Sequence, residues 1–228
     1  MGTVQGGLAP VLLLAGVLTG CGESPEEDPK ASATAQAEGA TGGAGATGTA
    51  AKSGGTIGAA GSACELPVTF DIAKGWKAKA VDSGAASGGS GGADDEFAQE
   101  VADAILHQGP VTAACEIDAK PAGHIGFLRV WTGSPADADA RTVLRAFVAA
   151  EDNTSKEKYR TFKAGDLSGV EVEYLYTSKL LDEVKKERAL AVSTPDGPVV
   201  LHLGGMDTEE HEAMLPAYEL AKHTLRVA

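Results

Sequence analysis

No lysine, arginine, aspartate or glutamate occurs in the first twenty residues of this 228-residue chain. The apolar run from Leu8 to Leu18 is only eleven residues long, whereas a helix needs roughly 20 to cross a bilayer. A spanning helix is therefore excluded there. Positive charge is also short: 19 Lys and Arg against 32 Asp and Glu leave a net charge of −13. An acidic surface repels phosphate backbones and anionic headgroups. Neither nucleic-acid binding nor adhesion to a membrane through a basic patch is expected. The usual catalytic signatures are missing too. His211-Glu212-Ala213-Met214-Leu215 begins like H-E-x-x-H, but Leu215 takes the second histidine's place. One ligand cannot hold a zinc ion that needs three or four. His107, His124, His202, His211 and His223 show no i, i+4 pair. There is no G-x-S-x-G elbow, since Ser87 and Ser90 sit in glycine runs, and no phosphate-loop motif. The expectation is no catalytic residue, no metal and no cofactor. No repeat period is visible.

What is present at the start is Leu18-Thr19-Gly20-Cys21 at the end of the apolar run. This motif resembles the lipobox of bacterial lipoprotein signal peptides: an apolar residue, a small one, Gly or Ala, then Cys. The resemblance implies a signal peptide over residues 1–20 and cleavage before Cys21. It also implies lipid on that thiol: a thioether-linked diacylglycerol, commonly with a third acyl chain such as palmitate on the new N-terminus. Two or more chains suffice for stable anchoring, here to the extracytoplasmic face of the cell membrane. The alternative is an ordinary cysteine after a fortuitous apolar stretch. Signal peptides usually begin with positive charge; its lack here reads as translation starting upstream of Met1. Removing residues 1–20 takes away no charge, so lipid on Cys21 is the expected membrane contact. Cys64 and Cys115 then remain as a pair. Outside the cytoplasm a pair is expected to oxidise to a disulfide; two buried free thiols are the alternative.

Residues 21–63 carry the candidate lipidated cysteine and a segment dominated by Gly, Ala, Thr and Ser. Such a composition cannot bury enough apolar surface to offset its ordering entropy. It reads as a disordered tether reaching roughly 35 Å. Residues 64–228 read as one globular domain, with Gly84 to Gly92 as a surface loop. Alternating or apolar runs predict strands over Leu66–Ile72, Lys77–Val81, Val111–Asp118, His124–Thr132, Lys158–Lys163, Gly169–Thr177, Arg188–Thr194 and Val199–Leu203. In the third, Val111, Ala113, Cys115 and Ile117 share a face. Pro195-Asp196-Gly197-Pro198 predicts a hairpin turn. Helices are predicted after Asp94-Asp95, with Phe97, Val101, Ala104 and Ile105 as the stripe, and after Ser134-Pro135, with Ala140, Val143, Leu144, Phe147 and Val148. The third starts at Asp207 and Glu210, with a break at Pro216. Asp94-Asp95-Glu96 and Glu209-Glu210 read as helix starts that complement the dipole, not as a calcium site. Glu171 and Glu173 could pair as acid and base, but a solvated sheet face is the expectation. His202, in an apolar strand, reads as a satisfied core or sheet-face histidine.

The count predicts an α+β domain, an antiparallel sheet packed by helices. Three stretches resemble the Mog1/PsbP-like domain of actinobacterial lipoproteins of the LpqN/LpqT type. They are the strand and Gly-Trp turn Val68-Thr69-Phe70-Asp71-Ile72-Ala73-Lys74-Gly75-Trp76, the hairpin Ala191 to Val200, and the ending His223-Thr224-Leu225-Arg226-Val227. The resemblance implies a non-catalytic domain that binds a protein or cell-envelope partner, with Trp76 and Trp131 as candidate anchors or else core. Two alternatives stay open. A carrier or receptor for a small or lipidic ligand would need an apolar cavity between sheet and helix. An envelope enzyme would need titratable groups converging in a cleft.

Overall fold

The computed structural model describes residues 50–82, 105–135 and 139–228. The strands, in chain order, are β1 Ser53–Ile57, β2 Val68–Ala73, β3 Lys77–Ala80, β4 His107–Gln108, β5 Val111–Asp118 and β6 Gly126–Thr132. There follow β7 Thr154–Ala164, β8 Leu167–Ser178, β9 Glu183–Thr194, β10 Gly197–Gly205 and β11 Arg226–Val227. The helices are α1 Ala140–Ala149 and α2 Thr208–Thr224. The larger sheet runs β3-β5-β6-β10-β9-β8-β7, with β4 on β5; the smaller runs β1-β2-β11. Every pairing of these strands is antiparallel. The α+β expectation holds.

Each face of the larger sheet carries its own core. On one, α1 buries Ala140, Val143, Leu144, Phe147 and Val148 against Trp131, Val170, Val172, Tyr174, Ala189, Ala191 and Val200. These are the five helix positions read from the sequence. The cap differs: Asp139, not Ser134, accepts from the Arg141 and Thr142 amides. A carboxylate there meets both free first-turn amides and the positive end of the helix. On the other face, α2 buries Met214, Ala217, Tyr218, Ala221 and Leu225 with Phe70, Cys115, Ile117, Leu190 and Leu201.

Three sequence expectations change. The segment read as a tether to residue 63 lies outside the described residues up to residue 49, and its end is folded: Ser53–Ile57 is a strand paired with β2. Its side chains are exposed except Ile57, so no apolar alternation marks it; backbone pairing holds it, helped by Thr56 Oγ1 donating to Asp71 at 2.6 Å. Second, Val111, Ala113, Cys115 and Ile117 do not share a face. The register against β6 shifts between Ala113 and Cys115. That bulge turns Val111 and Ala113 to the α1 side and Cys115 and Ile117 to the α2 side. Third, α2 runs through Pro216 without a break. Buried Met214 and Ala217 on either side of Pro216 keep the helix docked despite the lost hydrogen bond.

The β9–β10 turn comes as expected. Gly197 takes φ +121°, and a Cβ there would stand 2.3 Å from the Gly133 carbonyl oxygen. The readings at residues 1–20, Cys21, Gly84–Gly92 and Asp94-Asp95-Glu96 lie outside the described residues. Of the stripe expected after Asp94-Asp95, only Ile105 lies inside them, and it is exposed.

Candidate functional site

Cys64 and Cys115 form a disulfide across 51 residues of chain, with Cα atoms 5.9 Å apart. It joins the segment after β1 to β5 inside the α2-side core. Trp76 and Trp131 are both buried, so the core alternative holds for each.

Titratable groups converge twice, once on each face of the larger sheet. On the α1 face, Tyr174 Oη donates to Glu151 Oε2 at 2.8 Å and lies 3.3 Å from His202 Nε2. His202 Nε2 is also 2.9 Å from Glu187 Oε2. A carboxylate only accepts, so the His202 Nε2–H donates to Glu187. Lys185 Nζ lies 2.7 Å from Glu187 Oε1 and donates to the Gly205 carbonyl. The strand register sets this row up: Glu187 is next to Arg188, whose partner on β10 is Leu203, beside His202. Burial raises the Glu151 carboxyl above its usual range, and raises Tyr174 well above its own. Burial also pushes Glu187 up, but His202 and Lys185 outweigh it and hold it ionised below the usual range. Phe147 closes edge-on over His202. The row can hold and share protons.

On the α2 face lies an ion-pair cluster. Arg188 reaches Glu173 at 2.6 Å, Glu219 at 3.5 Å and Glu171 at 4.0 Å. Lys222 meets Glu171 at 3.2 Å and Glu219 at 2.7 Å. Glu171 and Glu173 therefore do not stand on a solvated face: α2 covers Glu171, which is buried. Burial works against the Arg188 charge, but its carboxylate partners raise its pKa.

His211 is buried in the first turns of α2, and its Nδ1 has no hydrogen-bond partner. Burial holds its pKa at about 4, down from 6.5. The unfolded chain therefore binds a proton near pH 6.5 that the fold refuses until about pH 4. Stability from this residue should be complete above pH 7 and fall through that window, by about 3 kcal/mol in total. Urea titrations of wild type and His211→Leu at pH 7.5 and 4.5 check it. The difference between the two proteins should shrink or reverse at the lower pH; a constant offset would refute the assignment.

The third feature is apolar. Among the described residues, Leu180 is 93% exposed, Leu181 62%, Val184 56%, and Met206 and Ile125 54% each. They gather at one end of the larger sheet, at the β8–β9 turn and the β10–α2 junction; the Met206 amide donates to the Ile125 carbonyl. An open groove of about 800 Å³ runs among Tyr176, Leu181, Val184, Lys185 and Met206. Strand patterns alone do not reveal this end, because residues 178–187 fall between two predicted strands. The signal was there: Leu180-Leu181 fills a turn where polar residues belong. Among the described residues no helix is long and apolar enough to cross a membrane, and no group of three His, Cys, Asp or Glu side chains could hold a metal ion.

The profile of an uncharacterised lipoprotein family matches residues 32–225. The chain belongs to that family. No curated protein matches the lipoprotein. Among solved structures it is similar to cyanobacterial PsbP (CyanoP) from Synechocystis sp. PCC 6803, at 13% identity and a TM-score of 0.47. That likeness covers 82% of this chain and 99% of the other.

Proposed function

We propose that the lipoprotein is non-catalytic, is held at the extracytoplasmic face of the membrane by lipid on Cys21, and binds a protein or envelope partner through its apolar end. The observation that carries this reading is the exposure of Leu181, Val184 and Met206 along one open groove, with exposed Leu180 next in the chain and exposed Ile125 joined to Met206 by a backbone hydrogen bond. Large side chains exposed together, rimmed by Asp182, Glu183 and Glu209, mark an interaction surface more than a folding need. The Glu151–Tyr174–His202–Glu187 row supports a structural role, since its polar atoms bond to one another and Tyr174, Glu187 and His202 are buried. The membership of a lipoprotein family and the lipobox-like Leu18-Thr19-Gly20-Cys21 support the anchor.

A photo-crosslinking residue placed at Leu180 in intact cells tests the surface, with exposed Asp196 as the control position. A discrete adduct from position 180 alone, lost in Leu181→Asp, is expected. Equal labelling from both positions would defeat the reading, and an adduct of lipid mass alone would favour a carrier. In the same cells Cys21→Ala should move the protein from membranes to the soluble fraction. Full retention in membranes would end the anchoring claim.

A further inference from the structure

The last strand of the larger sheet, β7, bonds only to β8. Its other edge presents backbone N–H and C=O groups that no described strand takes up. An open edge of eleven residues is a template for another strand. The side chains around it run against the chain's composition. Lys156, Lys158, Arg160 and Lys163 lie on β7 with only Glu157 opposing them. From α1, Arg141 and Arg145 stand 6.0 and 5.5 Å from the Tyr159 ring centre. Six cations thus border one edge of a protein of net charge −13. None of the six has an ion-pair partner within 4.0 Å among the described residues.

We propose that the β7 edge takes up an acidic, extended segment of a partner protein as an added strand. The register limits where. A shift between Ser155 and Lys158, with Lys156 at φ 58°, interrupts the near end, leaving Lys158 to Ala164 as the straight template. Side chains of an added strand alternate between the two faces, and cations wait on both. Lys158 and Arg160 stand opposite Glu173 and Glu171 on the α2 side, while Lys163 alternates to the α1 side near Arg141. There a groove of about 650 Å³ lies among Arg141, Thr161, Lys163 and Val170 with Asp139 also in its lining; that carboxylate is already engaged by the Arg141 and Thr142 amides and the Thr142 hydroxyl. At physiological salt charges farther than about 8 Å are screened; of the nearer carboxylates, Glu171 and Glu173 are also held by Arg188 and Lys222, so positive charge stays in excess along this edge.

Other occupants fit less well. A second copy pairing β7 with β7 would bring two cationic edges together, which is unfavourable. The chain's own acidic segment, Glu23 to Asp28, contains Pro25 and is followed by Pro29; proline has no N–H to give a ladder. Edge lysines and a bulge also deter indiscriminate pairing. That deterrent is selective, since it excludes neutral and basic strands while an acidic one turns it into attraction.

The probe is a nine-residue peptide alternating Glu with Val or Thr, added to the full-length lipidated protein in detergent and followed by amide hydrogen exchange. Exchange over residues 158–164 should slow at least tenfold, and the affinity should fall steeply with salt. Lys158→Glu/Arg160→Glu/Lys163→Glu changes exposed positions and should weaken binding at least tenfold with the far-ultraviolet spectrum unchanged. If that variant does not fold, the salt dependence and the exchange map of the wild type decide instead. The proposal is overturned by any of four results. They are equal binding of a Lys-for-Glu peptide, equal binding of a proline-interrupted acidic peptide, protection confined to other elements, or protection without peptide that grows with protein concentration. Stronger binding of a single-stranded oligonucleotide than of the peptide would likewise replace it.

Discussion

Replacing Cys64 and Cys115 together by alanine should lower the free energy of unfolding by about 4 kcal/mol. The value follows from the 51 residues between them: cutting the crosslink returns the entropy of an open loop to the unfolded chain. Both sulfurs lie in the α2-side core with Phe70, Ile117 and Leu128, so alanine also leaves a void there and the loss should not be smaller. Urea unfolding followed by tryptophan fluorescence provides the measurement, with buried Trp76 and Trp131 as reporters. Wild type kept in reductant should unfold near the midpoint of the double variant. A reduced wild type as stable as the oxidised one would show that the bond contributes nothing beyond its packing.

The second large effect is expected at Arg188. This guanidinium is the shared partner of Glu171, Glu173 and Glu219, and Glu171 is buried. With Arg188 and Lys222 both present, two cations face three carboxylates; Arg188→Met leaves one. Removing one partner of a buried ion pair costs about 3–5 kcal/mol, whereas replacing a whole pair by apolar groups is often neutral; Glu171 keeps Lys222 at 3.2 Å and Glu173 is partly exposed, so the lower end of that range is expected. The expected pattern is a strongly destabilised Arg188→Met that partly recovers when Glu171→Met is added. A single variant within half a kcal/mol of wild type would mean that water reaches the cluster and screens it. Glu173, with its pKa held down by Arg188 after burial is outweighed, should titrate closer to an ordinary glutamate in that variant.

Elements whose own side chains report their surroundings were legible from the sequence. The α1 stripe, the span of β5 and the β9–β10 turn each carry a local pattern, a period or a Pro–Gly pair, and each came out where expected. Features set by the other side of a contact were not. β1 has almost no apolar side chain, so only the β2 backbone reveals it. The bulge at Ala113–Cys115 preserves the alternation while exchanging the faces, so the pattern looks unbroken in one dimension. Glu171 and Glu173 alternate as a solvated face would, and only the arrival of Lys222 and Glu219 from α2, some fifty residues on, changes their meaning. Pro216 is a breaker by local rule, and tertiary burial overrides it. Much the same holds for the candidate surface. The chemistry of Cys64 and Cys115 followed from counting thiols, whereas Leu180-Leu181 gains significance only once Met206 is seen across the groove from Leu181.

The way the chain joins its fold has a mechanical consequence. Any tension along the residues before Ala50 reaches the domain through the Ala51–Pro216 hydrogen bond and then β1. β1 lies at an edge, loaded from its free end, so its bonds break in succession, like the teeth of a zipper. Peeling can run no farther than Cys64, where the disulfide to Cys115 carries the load covalently into β5. About 14 residues would be released as some 45 Å of slack, at ~3.3 Å per extended residue. The first strand is thus a tear strip with a stop, a shock absorber between whatever holds the N-terminal segment and the rest of the domain.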